Sequence, residues 1–511
     1  MANTKQDPQT VMAEELEMAK KQDGEHVAFE KISSEEEAAL VRKLDRVLMP
    51  LMAFVYFFQY LDKQSINYAS VFGLRKDLSL SGQDFSWIIS LFYFGQLCSE
   101  YPAAYLMGRL PITLFVGVTI IAWGAVEMTL GATHNFSGLA AARFFLGFAE
   151  GAVSPAFIII TSNWYRRREH PIRVATWVSM SGVSQILGAL MMYGIGGAAK
   201  MALEKWRVMF LVSGGLTAAC GVAFCLLMPR DTTTAWFLNE REREIATRRL
   251  ALDRGTRDRA EFNTKQMYEA LRQPTTWLYF MMALCITLTT PILKFSSLVV
   301  NGFGYSPFTT MLVGLPGGAI SFVTIWASAL IPRFFPGTRV YTSIGLSLVP
   351  LLGSAMLLAL PLHGAEWGIV ASTWLAACCS SLLSSTASMM ASNVKGNTKK
   401  SVVSAGFFIV YCVGCILSPQ AWTEGDAPRY TKGCILSIAS WVGLIMSRII
   451  TYAVYGVVLK RENATRDRLA AEGRYEYDVG GHDGGAEAVQ MGVAVDSDLT
   501  DVQDKAFRYS L

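Results

Sequence analysis

Apolar residues run along this chain in long stretches broken by short polar interruptions. The stretches 174–199, 208–228, 340–365, 367–394 and 401–423 contain no Asp, Glu, Lys or Arg. A helix rises about 1.5 Å per residue, so about 20 apolar residues cross a hydrocarbon core of ~30 Å. Reading every stretch against that length predicts twelve spans, near 47–69, 85–107, 112–131, 138–161, 171–197, 206–228, 275–297, 308–331, 338–361, 366–390, 401–422 and 432–458. The pattern is that of an all-α membrane protein, twelve transmembrane helices in two six-helix bundles.

The interruptions set the domain organisation. Residues 1–43 are acidic and polar and read as a disordered cytoplasmic tail, with no apolar core of a cleaved signal peptide, so that the first span directs insertion. Residues 44–228 form the first bundle and 273–459 the second. Between them 229–272, containing NEREREIATRRLALDRGTRDRAEF, reads as a charged, solvated and partly helical cytoplasmic linker. Residues 460–511 are polar and Gly-rich and read as a second disordered cytoplasmic tail.

Composition agrees and removes other classes. The 511 residues are 52% hydrophobic and 17% charged, against roughly 25% charged for ordinary soluble domains. A formal net charge of +4 is too mild for a nucleic-acid face. Nine cysteines sit nearly all in apolar stretches; Cys412 and Cys415 form a C-x-x-C inside a span with no His or second pair nearby, so neither a metal nor a redox role is expected. No nucleophile–His arrangement, phosphate loop or metal cluster points to an enzyme, so no catalytic residue and no cofactor is expected.

Arg166, Arg167, Arg168 and Arg173 lie between spans 4 and 5, Arg333 and Arg339 between 8 and 9, and Lys395, Lys399 and Lys400 between 10 and 11. Basic short loops face the cytoplasm, so both termini are expected there. Six plus six spans with both ends inside suits parallel halves related by an axis along the membrane normal. The sequons at Asn135 and Asn463 are expected to stay unmodified, one in a very short loop and the other on the cytoplasmic side.

Charges inside the spans carry the chemistry. At mid-bilayer each costs at least ~2.5 kcal/mol, so one that persists needs a partner, water or a task. Asp62 and Lys63 fall in span 1, Glu127 in span 3, Arg143 and Glu150 in span 4, Lys294 in span 7 and Arg448 in span 12. Arg143 and Glu150, seven residues apart, project from one helix face. A carboxylate beside a cation in a water-accessible cavity suits proton coupling, with Asp62 and Glu150 as the proton sites. Lys63, Arg143 and Lys294 are the cations suited to an anionic substrate, with Gln59, Tyr56, Tyr93 and Gln185 as uncharged polar groups of the same cavity.

Several segments resemble one family. They are DRVLMPLMAFVYFFQYLDKQSINYASVFGLRKDLSLS and FSWIISLFYFGQLCSEYPAAYLMGRLP in spans 1 and 2, RFFLGFAEGAVSPAF in span 4, the loop NWYRRREHPIRVATW, the exit MPRDTTTAWFLNERERE, and SNVKGNTKKSVVSAGFFIVYCVG into span 11. Over about 44–466 the chain is similar to the fungal allantoate permease branch of the anion:cation symporters, within the major facilitator superfamily. That resemblance implies the major facilitator fold, alternating access around a central cavity, and proton-linked uptake of small carboxylates or vitamins such as allantoate, nicotinate, pantothenate or biotin. It also implies that Asp62 with Lys63, and Arg143 with Glu150, serve proton and substrate. Lys63 stands where the wider group often has Arg, which replaces a planar fork by a point charge. The loop RLPITLFVG lacks the family's usual basic residue after Pro, and IPRFFPGTR lacks an acidic partner.

The expected protein is a multi-pass plasma-membrane carrier, a monomer in the lipid bilayer with a small carboxylate and a proton as partners. An exporter of a fungal secondary metabolite is the alternative. The span-5 stretch WVSMSGVSQILGALMMYGIGG, without the Gly-Pro of superfamily exporters, counts against it.

Overall fold

A computed structural model describes residues 33–81, 83–166, 169–198, 201–254, 263–302, 304–361, 366–376, 378–427, 430–471, 500–503 and 509. Among the described residues there are helices and no strand. Eleven helical segments are long and apolar enough to cross a membrane. Asp84–Met107, less apolar because it carries Glu100 and several hydroxyls, makes the twelfth with its 24 residues. In order the spans are Ser34–Val71, Asp84–Met107, Ile112–Leu130, Phe136–Trp164, His170–Gly197, Lys205–Leu227, Pro274–Gly302, Pro307–Phe334, Arg339–Ala359, Glu366–Asn393, Thr398–Ala421 and Thr431–Ala453. The helix of span 1 begins at Ser34, inside the stretch expected to be tail; residues 1–32 of that stretch lie outside the described residues.

Four spans are interrupted within their length, and span 11 ends in a 3-10 turn over Ser418–Ala421. Span 4 breaks at Gly151 and Ala152, span 7 between Thr287 and Pro291, span 8 at Gly314 and span 10 after Ala376. In spans 7 and 8 a proline follows the break, at Pro291 and Pro316, where its missing N–H and ring clash interrupt the ladder. Broken helices inside a membrane are tolerated where protein covers the freed backbone groups. Spans 3, 6, 9 and 12 instead present apolar side chains outward, with Val118, Leu226, Leu352 and Met446 exposed, as a lipid-facing surface requires.

Small residues set the closest crossings. A β-carbon at Gly147 of span 4 would lie 1.8 Å from the Phe92 carbonyl oxygen of span 2, so only glycine allows the two backbones to touch. Spans 5 and 8, from opposite halves, cross in the same way: a β-carbon at Gly182 would lie 2.6 Å from the Gly318 carbonyl oxygen, and one at Gly318 2.7 Å from that of Gly182.

The two halves are also joined where spans 1 and 7 approach their ends and spans 2 and 8 begin, the side opposite the linker. Asn67 Nδ2 of span 1 donates to Ser297 Oγ of span 7 at 3.0 Å and to the Leu293 carbonyl at 3.4 Å. Ser90 Oγ of span 2 donates to the Ile416 carbonyl of span 11 at 2.8 Å and accepts from Gln420 Nε2 at 3.0 Å. Ser86 Oγ donates to the Trp422 carbonyl at 3.3 Å.

On the linker side two arrangements differ from the expected solvated segments. Arg249, on the linker helix Glu240–Arg254, is fully buried and holds Glu169 at 2.5–2.6 Å. The C-terminal segment contains a helix, Lys460–Ala471, and returns at residues 500–503. Asp501, nearly fully buried, accepts from Lys399 Nζ at 2.6 Å and Tyr509 Oη at 2.9 Å, and Lys399 also holds Glu269 at 2.8 Å. An order-free tail over all of 460–511 is therefore not observed: the buried ammonium of Lys399 needs carboxylates, and the tail supplies one. Residues 472–499 lie outside the described residues.

Candidate functional site

Span 1 carries Tyr56, Gln59, Asp62 and Lys63 into the protein interior, and three other spans meet them there. Asp62 is fully buried. Its Oδ2 accepts from the indole Nε1 of Trp123 on span 3 at 2.5 Å and from Thr217 Oγ1 on span 6 at 3.1 Å. Glu127, one helical turn after Trp123 and so on the same face, is fully buried too, and its Oε1 accepts from Ser213 Oγ on span 6 at 2.9 Å. Ser213 and Thr217 are again one turn apart. Two helices thus bring matched polar ladders to the same carboxyl groups.

The ion pairing differs from the sequence expectation. Lys63 does not pair with its neighbour Asp62; its ammonium holds Glu150 Oε1 at 2.8 Å, with both side chains largely buried, and lies 5.8 Å from the centre of the Phe92 ring. Adjacent residues on a helix project in directions about 100° apart, so Asp62 faces spans 3 and 6 while Lys63 faces span 4. Arg143 and Glu150 do share a face, yet seven residues separate them by about 10 Å along the axis, which leaves each to meet partners from other spans. The buried Arg143 guanidinium sits 5.7 Å from the Phe210 ring centre, in the field of Glu127, Asp62 and Glu150. Its Nε and Nη2 have no acceptor.

Lys294 comes from span 7, in the other half. Its buried ammonium donates to the Lys63 backbone carbonyl, so span 7 reaches the cluster across the inter-half boundary. Gln59 donates to Ser154 Oγ of span 4 at 3.4 Å, and the Tyr56 ring lies 5.0 Å from that of Trp177 on span 5. Tyr93 is buried beside Tyr411 of span 11, with ring centres 6.3 Å apart. Gln185 stands apart from the charges. It lines a cavity of about 50 Å³ with Gln64, Asn67, Ser297 and Thr310, on the side opposite the linker where the halves are joined.

Arg448 is a clamp between spans rather than a member of the cluster. Its Nη2 donates to Thr386 Oγ1 at 2.8 Å and the Leu382 carbonyl at 3.2 Å, both on span 10. Trp123, Thr217 and Ser213 were not among the residues singled out in the sequence. Their signal was present as one-turn spacing within spans 3 and 6, but nothing in a sequence says that those faces meet Asp62.

Residues 52–419 match the profile of the Major Facilitator Superfamily. The chain belongs to that superfamily. It is a multi-pass membrane transporter and not an enzyme. Among its relatives, uncharacterized transporter C460.05 of Schizosaccharomyces pombe is 35% identical, over 86% of this chain and 82% of the relative. The allantoate permease of Saccharomyces cerevisiae is 28% identical, over 94% and 88%. The structure of the xylose transporter XylE from E. coli in a partially occluded inward-open conformation matches with a TM-score of 0.58 at 12% identity, covering 81% of this chain and 99% of that one. The fungal relatives agree with the branch that the sequence motifs resemble, and the solved carrier agrees in fold.

Proposed function

We propose that this superfamily member imports a small organic anion, of the carboxylate or vitamin class, across the plasma membrane together with a proton. The observation that carries the reading is the Lys63–Glu150 ion pair at 2.8 Å, in a buried cluster where Arg143 and Lys294 add two further cations. A substrate carboxylate that enters between the halves competes with Glu150 for Lys63 and meets the unfilled donors of Arg143. Protonation of a carboxyl group in the cluster lets that exchange proceed without adding net negative charge to a buried site. The similarity to allantoate permease supports an anionic metabolite.

The test is uptake of a panel of labelled carboxylates, vitamins and small peptides by cells without their own carriers, at two external pH values. Accumulation that rises on acidification is expected for at least one anion. Asp62→Asn and Glu150→Gln each abolish the acid-stimulated part while the protein still reaches the membrane. Uptake of the same anion with no dependence on pH would rule out proton coupling.

A further inference from the structure

We propose that Asp62 and Glu127 share one proton, and that this carboxyl pair, with Glu127 as its second member, is the proton-carrying site; this rests on the proton-coupled reading above. Both side chains are fully buried, on spans 1 and 3, and the same two helix faces serve them: Trp123, which holds Asp62, is one turn before Glu127, and Thr217, which also holds Asp62, is one turn after Ser213, which holds Glu127, so the two carboxyl groups are neighbours. Three donors serve one oxygen of each group: Trp123 and Thr217 on Asp62 Oδ2, and Ser213 on Glu127 Oε1. The other two oxygens, Asp62 Oδ1 and Glu127 Oε2, have no hydrogen-bond partner; the Ser65 hydroxyl, which faces Glu127 from span 1, donates instead to the Asp62 backbone carbonyl at 2.7 Å. Two ionised carboxylates cannot satisfy one another, because each only accepts. A proton between them converts one into a donor and satisfies both, as in carboxyl dyads generally.

The surrounding charges give the pair its role. Arg143 and Glu150 face it from span 4, and the Cys220 thiol faces Asp62 from span 6. Lys63 is turned away and engaged by Glu150. Arg143 is therefore the cation that answers to the pair. With the proton absent, the pair is a dianion and holds the guanidinium. With the proton bound, as a hydronium O–H bond breaks to leave water and one carboxyl O–H bond forms, the pair carries a single negative charge and Arg143 is released toward a substrate anion. The order that follows is proton first and anion second, with both leaving on the opposite side.

The experiment uses the purified full-length protein in lipid bilayers, with infrared difference spectra recorded on a pH step. A protonated carboxyl group has a C=O stretch that an ionised one lacks. The wild type is expected to show one such band that shifts in D₂O. Glu127→Gln and Asp62→Asn each lose it, because the new amide supplies the N–H that the remaining carboxylate needs. Ser213→Ala keeps both carboxyl groups and the band but moves its titration midpoint, which guards against a variant that has simply misfolded. A band unchanged in Glu127→Gln, or a midpoint unmoved in Ser213→Ala, would overturn the shared proton. Uptake separates this inference from the broader one. If an anion shows acid-stimulated uptake and Glu127→Gln retains all of it, the pair is not the coupling site although coupling stands. If the bands behave as expected and no anion of the panel responds to pH, coupled import fails and the shared proton stands.

Discussion

Lys63 and Glu150 form the central ion pair of the cluster, and its burial makes it a stability element in its own right. Removing one member of a buried pair leaves the other uncompensated, at a cost of about 3–5 kcal/mol. Lys63→Met should accordingly lower the thermal unfolding midpoint in detergent, and the double variant Lys63→Met with Glu150→Gln should recover most of the loss while remaining inactive. Recovery of less than half would place the defect in packing against Phe92 rather than in the unpaired carboxylate. Arg143→Ala should impair anion uptake far more than membrane insertion, and Arg143→Lys should not rescue it, since an ammonium lacks the guanidinium fork. At this scale the sequence was informative about which residues matter and silent about who pairs with whom. Arg143 and Glu150 were legible as one face of span 4 from spacing alone. Glu127 stood out only as a charge in a membrane, because its partners arrive from spans whose lateral order no spacing encodes.

Helices repeat the lesson one level up. Spans 2 to 12 lie within several residues of where the apolar stretches put them, because the bilayer thickness imposes one length on each, while the helix of span 1 extends thirteen residues further toward the N-terminus. The breaks in spans 4, 7, 8 and 10 were not foreseen, although Pro291 and Pro316 mark two of them. A proline in an apolar stretch reads equally well as a kink or a break until the neighbours that cover the backbone are known. Glycines separate folding from switching. Gly147 sits at a crossing within one half, so Gly147→Val should sharply reduce the yield of folded protein. Gly182 sits at a crossing between the halves, so Gly182→Val should leave the protein folded but wedge spans 5 and 8 apart. Labelling of a cysteine placed at Ser297 by a membrane-impermeant thiol reagent added on the side opposite the linker checks this, with faster labelling expected in the Gly182→Val background.

For the whole molecule, the linker side is more structured than its charge density implied. Lys399 is buried between Glu269 and Asp501, so truncation after Ala471 removes one of its two carboxylates. The truncated protein should unfold at a lower temperature, and Lys399→Met introduced into it should restore part of the difference. An unchanged melting point on truncation would mean that Asp501 adds nothing to the fold. A polar, Gly-rich stretch gave no hint of this, since one buried aspartate is invisible in average composition.

The side opposite the linker is held differently, through Asn67, Ser86, Ser90 and Gln420 and their hydroxyl and carbonyl partners. Bonds of that kind contribute about 1 kcal/mol each. The four together contribute about 4 kcal/mol, which two charges moving through 100 mV of membrane potential, at ~2.3 kcal/mol each, would match. A latch this soft does not store the direction of transport. It leaves the balance between the two faces of the carrier to the voltage across the bilayer and to whatever occupies its centre.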